Sequence, residues 1–386
     1  MKKITVVTTS RADWGYLYWL CRDIGVSDKL ELQIMAPTNH PHVRDMLDEF
    51  KFGHVFPIEA IKSIDDYGNV FKNCKTTLEY CKPDVFLCLG DRFETHAATT
   101  AALLLNIPIA HIAGGETTIG AFDNELRNSI TQMATYHFTA TEEYADNVAK
   151  MLRQCSADFE SCCNPRYYTY GDEKDKENIF DIGSTSLDWL TRAKLLSKQE
   201  LQQHVLIDLN QPFVVACMHS ETKELEYVTA RAFNFIEALN DLGEQVLLIS
   251  PNIDPGNKVI RQITEATMFN FADSSTPCKI HIIDNLDHLV YLSLLQYAEF
   301  MIGNSSSGII ESASFNIPSV SVGNRQQGRI RNSNTFDCLC ETQAILDAVD
   351  RAREWNALVG KCDNVYGDGH STERIMEVLE TLWCNT

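Results

Sequence analysis

Positive charge is scarce in this chain: 33 Lys and Arg against 53 Asp and Glu leave its 386 residues with a formal charge of −20. That deficit argues against nucleic acid or an anionic membrane as partner, because both are bound through basic surface. It also requires any phosphate site to be built from local donors, since the field of the whole molecule repels anions. Long apolar runs are missing as well. No stretch approaches 18 consecutive apolar residues, so no membrane span is expected. Met1-Lys-Lys leads into Ile-Thr-Val-Val-Thr-Thr, a strand pattern and not the apolar core of a targeting segment, so a cytoplasmic location is the expectation. There is no Gly-x-x-x-x-Gly-Lys-Ser/Thr loop and no Gly-x-Gly-x-x-Gly fingerprint, which sets aside nucleoside triphosphate hydrolysis and dinucleotide redox chemistry. Cysteine is plentiful at 13, yet no Cys-x-x-Cys pair occurs. Cys88 and Cys217 lie in apolar strands and read as small core residues, reduced in a cytoplasm; neither metal nor cofactor is expected. His40-Pro41-His42 reads as a surface loop.

What is present is a beat of short apolar runs alternating with helical patterns, the signature of parallel sheets with crossover helices. In the first half the expected strands are 4–9, 32–35, 85–89, 107–112, 136–140 and 178–182. Alanine-rich 95–106 has a helix period. The second half supplies 213–218, 245–250, 279–283, 300–303 and 319–322. A charged helical stretch, 187–204, separates the two series and reads as a linker. The expected class is therefore α/β, with two Rossmann-like domains facing across a deep cleft that takes ligands at the carboxyl ends of the strands. The expected boundaries are 1–190, 205–370 and a C-terminal helix, 371–386, that packs back on the first domain. Residues 153–177 break the rhythm and read as a surface excursion.

The most informative ten residues are Ile302-Gly-Asn-Ser-Ser-Ser-Gly-Ile-Ile-Glu311. An apolar run drives into Gly303-Asn304, and Ser305, Ser306 and Ser307 then open a segment patterned as a helix. A helix start offers unpaired N–H groups and partial positive charge, which suits an anion. The serines add hydroxyl donors, while Gly303 and Gly308 are expected to let a bulky anion approach the backbone. Glu311 is placed to accept from the hydroxyls of an attached sugar, so a diphosphate carrying a ribose is the natural ligand. Plain N-capping is the competing reading of the serines. A Gly-x-Ser-x-Gly elbow is set aside because position 307 is Ser where that motif needs Gly.

Polar residues also gather where the other strands end: Ser10-Arg11-Ala12-Asp13, Gly90-Asp91-Arg92-Phe93-Glu94, His111 with Ala113-Gly114-Gly115-Glu116, and Asp123 to Arg127. The second half adds Met218-His219-Ser220-Glu221, Pro251-Asn252 and Gly323-Asn324-Arg325-Gln326-Gln327-Gly328-Arg329. Singly, Asp91, Glu116 and Asp123 fit capping or ion-pair roles. Together, three carboxylates in one half with a histidine and a phosphate cradle in the other suit acid–base work on a sugar phosphate.

In their order along residues 1–335, these motifs resemble the UDP-N-acetylglucosamine 2-epimerases, and specifically the hydrolysing branch that serves sialic acid or legionaminic acid synthesis. The non-hydrolysing branch typically has His-Val-Glu-Ala-Gly-Leu-Arg where this chain has His111–Glu116. The resemblance implies a GT-B fold, UDP held mainly by the second domain, and a homodimer or homotetramer. It implies anti elimination of UDP from UDP-N-acetylglucosamine to a 2-acetamidoglucal, then hydration to free N-acetylmannosamine. Carried over by position, Asp91, Asp123 and His219 match catalytic residues, with Glu116 as a further candidate. Ser305 and Ser306 match diphosphate contacts, joined by Ser307 and Gly308; Glu311 matches a ribose contact. Arg11, Asn252 and Arg325 match other nucleotide contacts, and Arg92 and His111 are expected to line the substrate. Relatives often carry Glu where this chain has Ala113, and a frequent Arg-His pair is Arg127-Asn128 here. Three alternatives stand beside this reading: the same reaction on a UDP-2,4-diacetamido-2,4,6-trideoxy sugar, a GT-B glycosyltransferase, and a non-catalytic sugar-nucleotide sensor.

Overall fold

A computed structural model describes residues 1–37, 54–58, 64–157, 177–251, 254–272 and 279–381. Asn252, the His40-Pro41-His42 loop and most of the 153–177 excursion lie outside the described residues, as does the side chain of Arg11. The chain divides into two compact units. Unit 1 comprises Met1–Glu116, Asp123–Thr191 and Tyr366–Thr386; unit 2 comprises Thr117–Phe122 and Arg192–Val365.

Unit 1 is built on seven parallel strands: β1 (Lys2–Val7), β2 (Leu30–Pro37), β3 (His54–Ile58), β4 (Val85–Leu89), β5 (Ile109–Ile112), β6 (Tyr136–Thr139) and β7 (Ile179–Asp181), in the order β3-β2-β1-β4-β5-β6-β7. Ile4 pairs with Leu32 on one side and Val85 on the other. The central strands are apolar on both faces because helices cover both. On one face Trp14, Leu17, Leu20 and Ile24 of the helix Arg11–Val26 recur at helical spacing and pack on Ile4, Val6 and Leu87. Ile375 and Leu379 of the last helix, Ser371–Thr381, join that same cluster. Its first turn is fixed by Asp188, a fully buried carboxylate that accepts from the amides of Ser371 and Thr372 at 2.8 and 2.7 Å. On the other face the helix Phe93–Leu104 lays Ala97, Ala98, Ala101 and Ala102 against the sheet, small residues that allow close approach.

Unit 2 repeats the plan with β8 (Phe213–Cys217), β9 (Gln245–Ile249), β10 (Ile280–Ile283), β11 (Met301–Gly303), β12 (Ser319–Val322) and β13 (Thr335–Cys338), all parallel, in the order β10-β9-β8-β11-β12-β13. Its core joins Val214, Ala216, Leu248, Ile302 and Val320 to Phe235, Ile236 and Leu239 of the helix Val228–Asp241. All eleven strands expected from the sequence are present within a few residues. β3 and β13 are not legible in the sequence: one contains Pro57 and the other is only partly buried, so neither carries a clean apolar run, whereas the edge strands β7 and β10 are legible. The 187–204 stretch holds two short helices, Asp188–Arg192 and Lys198–Leu201. Among the described residues no helix is long and apolar enough to cross a membrane.

The serine segment departs most from expectation. Instead of a sustained helix it forms one α-turn, Ser307–Ile310, then a 3-10 turn, Ser312–Phe315, closed by Asn316 at φ +56°. Three serines and a glycine have poor helix propensity, and the left-handed Asn316 before Ile317-Pro318 stops propagation. Its carbonyls are met by side chains: Asn332 Nδ2 donates to Ile309 O at 2.8 Å, and Asn364 Nδ2 to Ile310 O at 2.7 Å.

Candidate functional site

In a doubly wound sheet the loops diverge where the strand order reverses, leaving a crevice at the carboxyl ends of the two central strands. In unit 1 that point lies between β1 and β4. β1 runs into Thr8–Ser10, where the Thr9 hydroxyl donates to Asp13 Oδ2 at 2.5 Å and Ser10 Oγ accepts from the Asp13 amide at 3.2 Å, a compact helix cap. β4 runs into Gly90-Asp91-Arg92. Asp91, one-fifth exposed, is ion-paired to Arg127, whose side chain is 2 % exposed. Arg127 Nη1 also donates to the Glu116 carbonyl at 3.0 Å. Asp123 opens the helix Asp123–Met133 exactly one turn before Arg127, on the same face. The Glu116 side chain is buried at 4 % exposure. Asp91 and the Glu116 carbonyl thus meet one enclosed guanidinium, and Asp123 stands one turn before it on the same helix.

Arg92 is partly buried and pairs with Glu94, Nη2 to Oε1 at 3.0 Å. Burial pushes the Glu94 carboxyl above its ordinary range, and Arg92 offsets that only in part. His111 requires a correction. Expected to touch substrate, it is 0 % exposed; its Nε2 lies 2.8 Å from the Gly90 carbonyl and its Nδ1 3.2 Å from Thr131 Oγ1. A ring with no open surface contacts neighbours, not ligand. Burial lowers its pKa to about 4, so the imidazole is neutral at pH 7. After β5 the chain turns through Ala113 at φ +65°, a left-handed conformation that disfavours a side chain. Gly115 follows at φ +80°, where a Cβ would overlap the Tyr144 carbonyl.

In unit 2 the order reverses between β8 and β11, and the backbones come very close. A Cβ on Gly303, at φ +136°, would overlap the Cys217 carbonyl oxygen. Asn304 then clamps His219 on both sides: its Oδ1 accepts from the His219 amide at 2.7 Å and its Nδ2 donates to the His219 carbonyl at 2.8 Å. Ser220 is held by Asn257 at 2.7 Å. Glu221 accepts from the Asn324 amide at 3.0 Å and pairs with Arg231 at 3.0 Å. Three consecutive residues after β8 are therefore pinned by three different elements. The Asn304 carbonyl collects Arg325 Nη1 at 3.1 Å and Gln326 Nε2 at 2.9 Å, which brings the Arg325 charge beside the serines.

Ser305 and Ser306 are half-buried, while Ser307 is 8 % exposed with its hydroxyl 2.5 Å from Tyr291 Oη. Two expectations change here. Gly308 is small because β12 passes it, a Cβ there overlapping Ser319 Oγ, and its amide already donates to the Ser305 carbonyl at 3.3 Å. Open donors are therefore sought at Ser305 and Ser306 and not at Gly308. Glu311 is 1 % exposed and close enough to Tyr291 to help push that phenol upward, behind burial as the larger cause. Little of its carboxylate is open to a ribose.

The segment between two candidate acids changes unit. Thr117–Phe122 belongs to unit 2, with the Ile119 amide donating to Gln327 O at 2.9 Å and the Phe122 amide to Thr222 Oγ1 at 3.1 Å. Glu116 and Asp123 are thus the last residue before that excursion and the first after it. Arg127 and Asn304, each noted only as a member of a motif, carry no site role in the sequence reading, and Tyr291 is absent from it. Arg127 carried a signal, its four-residue spacing from Asp123; Tyr291 carried none, since its partner is sixteen residues away.

Comparison with known proteins agrees with this architecture. A family model described as UDP-N-acetylglucosamine 2-epimerase matches residues 26–380. The chain is 29 % identical, over 99 % of its length and 96 % of the relative's, to a UDP-N,N'-diacetylbacillosamine 2-epimerase (hydrolyzing) of Legionella pneumophila. It is 30 % identical, over 87 % and 84 %, to a GDP/UDP-N,N'-diacetylbacillosamine 2-epimerase (hydrolyzing) of Campylobacter jejuni. Its fold matches the crystal structure of UDP-GlcNAc 2-epimerase from Neisseria meningitidis bound to UDP-GlcNAc with a TM-score of 0.76 at 18 % identity, covering 98 % and 99 % of the two chains. The fold is thus GT-B-like, two parallel α/β units of the same strand order. With nearly the whole chain matched by one family model, the protein belongs to the UDP-N-acetylglucosamine 2-epimerase family.

Proposed function

We propose that the chain is a hydrolysing 2-epimerase, which takes a UDP-linked 2-acetamido hexose and yields UDP and the free 2-epimer. The observation that carries this reading is the pairing of Asp91 with the buried Arg127, on the helix that Asp123 opens, at the carboxyl edge of unit 1. The C2 hydrogen of an amido sugar is weakly acidic, so its removal needs a placed base and matched stabilisation of the departing diphosphate. We assign the base to Asp123, at the start of the helix that carries Arg127. As the C2 proton leaves, its bonding pair forms the C1–C2 double bond, and the C1–O bond breaks with its electrons retained by UDP. Water then adds across the double bond: a proton enters C2 from the opposite face and hydroxide bonds C1, with Asp91 and Glu116 orienting the water. Ser305, Ser306 and Arg325 receive the diphosphate beside His219. Arg11, Arg92 and Asn252 complete the nucleotide contacts.

UDP-N-acetylglucosamine, giving N-acetylmannosamine, is the substrate proposed first. A second reading, the same reaction on a UDP-2,4-diacetamido-2,4,6-trideoxy sugar, is favoured by the names of the Legionella and Campylobacter relatives. The test is incubation with each UDP-sugar alone in D2O, with NMR of the released sugar. Elimination and hydration place deuterium at C2 of an inverted product. Release with the C2 hydrogen and configuration retained would point to a glycosyltransferase, and tight binding without release to a sensor; either overturns the proposal.

A further inference from the structure

We propose that His111 is a positioning residue for the carboxylate centre, a rivet between the loop that carries Asp91 and the helix that carries Asp123 and Arg127. The inference rests on the reading of that centre given above and adds a residue that does not touch substrate. His111 is the penultimate residue of β5 and fully enclosed. Its two ring nitrogens reach two different elements. Nε2, facing a carbonyl that can only accept, carries the proton and donates to Gly90 O at 2.8 Å. Nδ1 is left to face the Thr131 hydroxyl at 3.2 Å. Nδ1, a bare acceptor, and the Arg127 carbonyl at 2.9 Å share that hydroxyl's single proton, so Thr131 links the ring to the helix backbone.

The placement of these partners is what assigns the role. The Gly90 carbonyl and the Asp91 amide belong to one planar peptide, so fixing that oxygen fixes the plane from which the Asp91 side chain departs. Gly90 sits at φ +71° with open space where a Cβ would be, so packing does not set this plane. Thr131 lies one turn after Arg127 and two turns after Asp123 on a single helix. Through one imidazole, the base of the Asp91 side chain and the axis of the helix bearing its cation are held in register. Gly114 closes the joint: a Cβ there would come within 3.1 Å of both His111 Nδ1 and Thr131 Oγ1. A displacement of about 1 Å in such a centre costs on the order of 100-fold in rate.

The test uses the full chain with His111→Phe, His111→Gln and Thr131→Val. Turnover of wild type on the two UDP-sugars is measured first; failure there sinks the epimerase reading and leaves the rivet to be judged by hydrogen exchange alone. With turnover present, His111→Phe is expected to lower kcat about 30–100-fold while KM and UDP affinity stay within about three-fold, because the change acts on register and not on binding. His111→Gln, whose amide can still donate to Gly90 O, is expected to recover most of that loss, with Thr131→Val intermediate. By hydrogen exchange, amides of Gly90–Phe93 and of the Asp123–Met133 helix should speed up in His111→Phe while β1 and β2 stay protected. Unchanged kcat in folded His111→Phe overturns the proposal. So does a Gln variant as impaired as Phe, or exchange that rises evenly through unit 1, which would mark ordinary core destabilisation. If His111→Phe fails to fold, the Gln and Val variants decide by the same criteria.

Discussion

The two sheets share one strand order and differ in what they place at its reversal. Unit 1 puts carboxyl and guanidinium groups there, Asp91 against Arg127 with Asp123 one turn before it, and Arg92 against Glu94. Unit 2 puts hydroxyls and amides there: Ser305 and Ser306, Asn304 across His219, Tyr291 behind Ser307. In unit 1 side chains hold the geometry, Arg127 reaching both Asp91 and the Glu116 carbonyl. In unit 2 the backbones of β8 and β11 touch, so the geometry is carried by main chain and by the absence of a Cβ at Gly303. On the proposed reading, proton transfer needs charge at fixed distance, whereas a diphosphate seat in a chain of charge −20 needs local donors, here neutral hydroxyls with Arg325 beside them.

The comparison breaks most sharply if chemistry and nucleotide binding prove inseparable. Asp123→Asn is expected to lower turnover by at least about 1,000-fold, as removal of a base does, while UDP affinity measured by calorimetry changes no more than a few-fold. Retained activity would remove Asp123 as the base; equal losses in both quantities would mean the two units do not divide the labour. Gly303→Ala tests the other side. The added methyl meets the Cys217 carbonyl at a φ that L-residues avoid, so a loss of about 3–4 kcal/mol or failure to fold is expected in thermal or urea melts. A melting temperature near that of wild type would show that the β8–β11 approach is not the constraint argued here.

Legibility divided along the same line. Central strands were readable because burial on both faces writes them as apolar runs; β3 and β13 were not, because Pro57 interrupts one and the other is only partly buried. The site residues at strand ends were readable as polar clusters following those runs. Their roles were less so, because role depends on exposure that sequence does not carry: His111 shares a motif with candidate acids yet has no surface, and Gly308 is small for the sake of Ser319. The serine turn was misjudged in length because Asn332 and Asn364, more than twenty residues downstream, satisfy its carbonyls and make one turn sufficient.

Proton linkage offers a subtler contrast. His111 and His137 are paired neighbours on β5 and β6, both enclosed, with burial lowering them to about 4 and about 3; the nearby His111 charge further lowers His137. Each folded value lies below the unfolded one near 6.5, so the unfolded chain binds protons more tightly. Their contribution is fully present above pH 6.5 and is lost as pH falls through the window toward 4. Each of the two should cost unit 1 on the order of 2 kcal/mol between pH 7.5 and 5. Glu94 and Glu221, raised by burial, run the other way, so the informative quantity is the difference between wild type and His137→Phe. The variant should show a flatter melting temperature against pH; identical slopes would place the acid sensitivity elsewhere.

The smallest effect is expected at Tyr291, and it separates two views of the serine turn. If the turn seats phosphate through hydroxyls whose protons are directed, then the Tyr291–Ser307 contact sets which way Ser307 points. Tyr291→Phe removes one hydroxyl from an enclosed ring and leaves the packing volume almost unchanged. A loss of about 1 kcal/mol, near five-fold in UDP affinity, follows from removing one hydrogen-bond partner of a buried hydroxyl. Ser305→Ala with Ser306→Ala should cost more, about ten-fold or greater, because those hydroxyls are the exposed ones. If Tyr291→Phe outweighs the double serine variant, the anion does not lie against Ser305 and Ser306, and the neutral-donor half of the comparison fails while the carboxylate half stands.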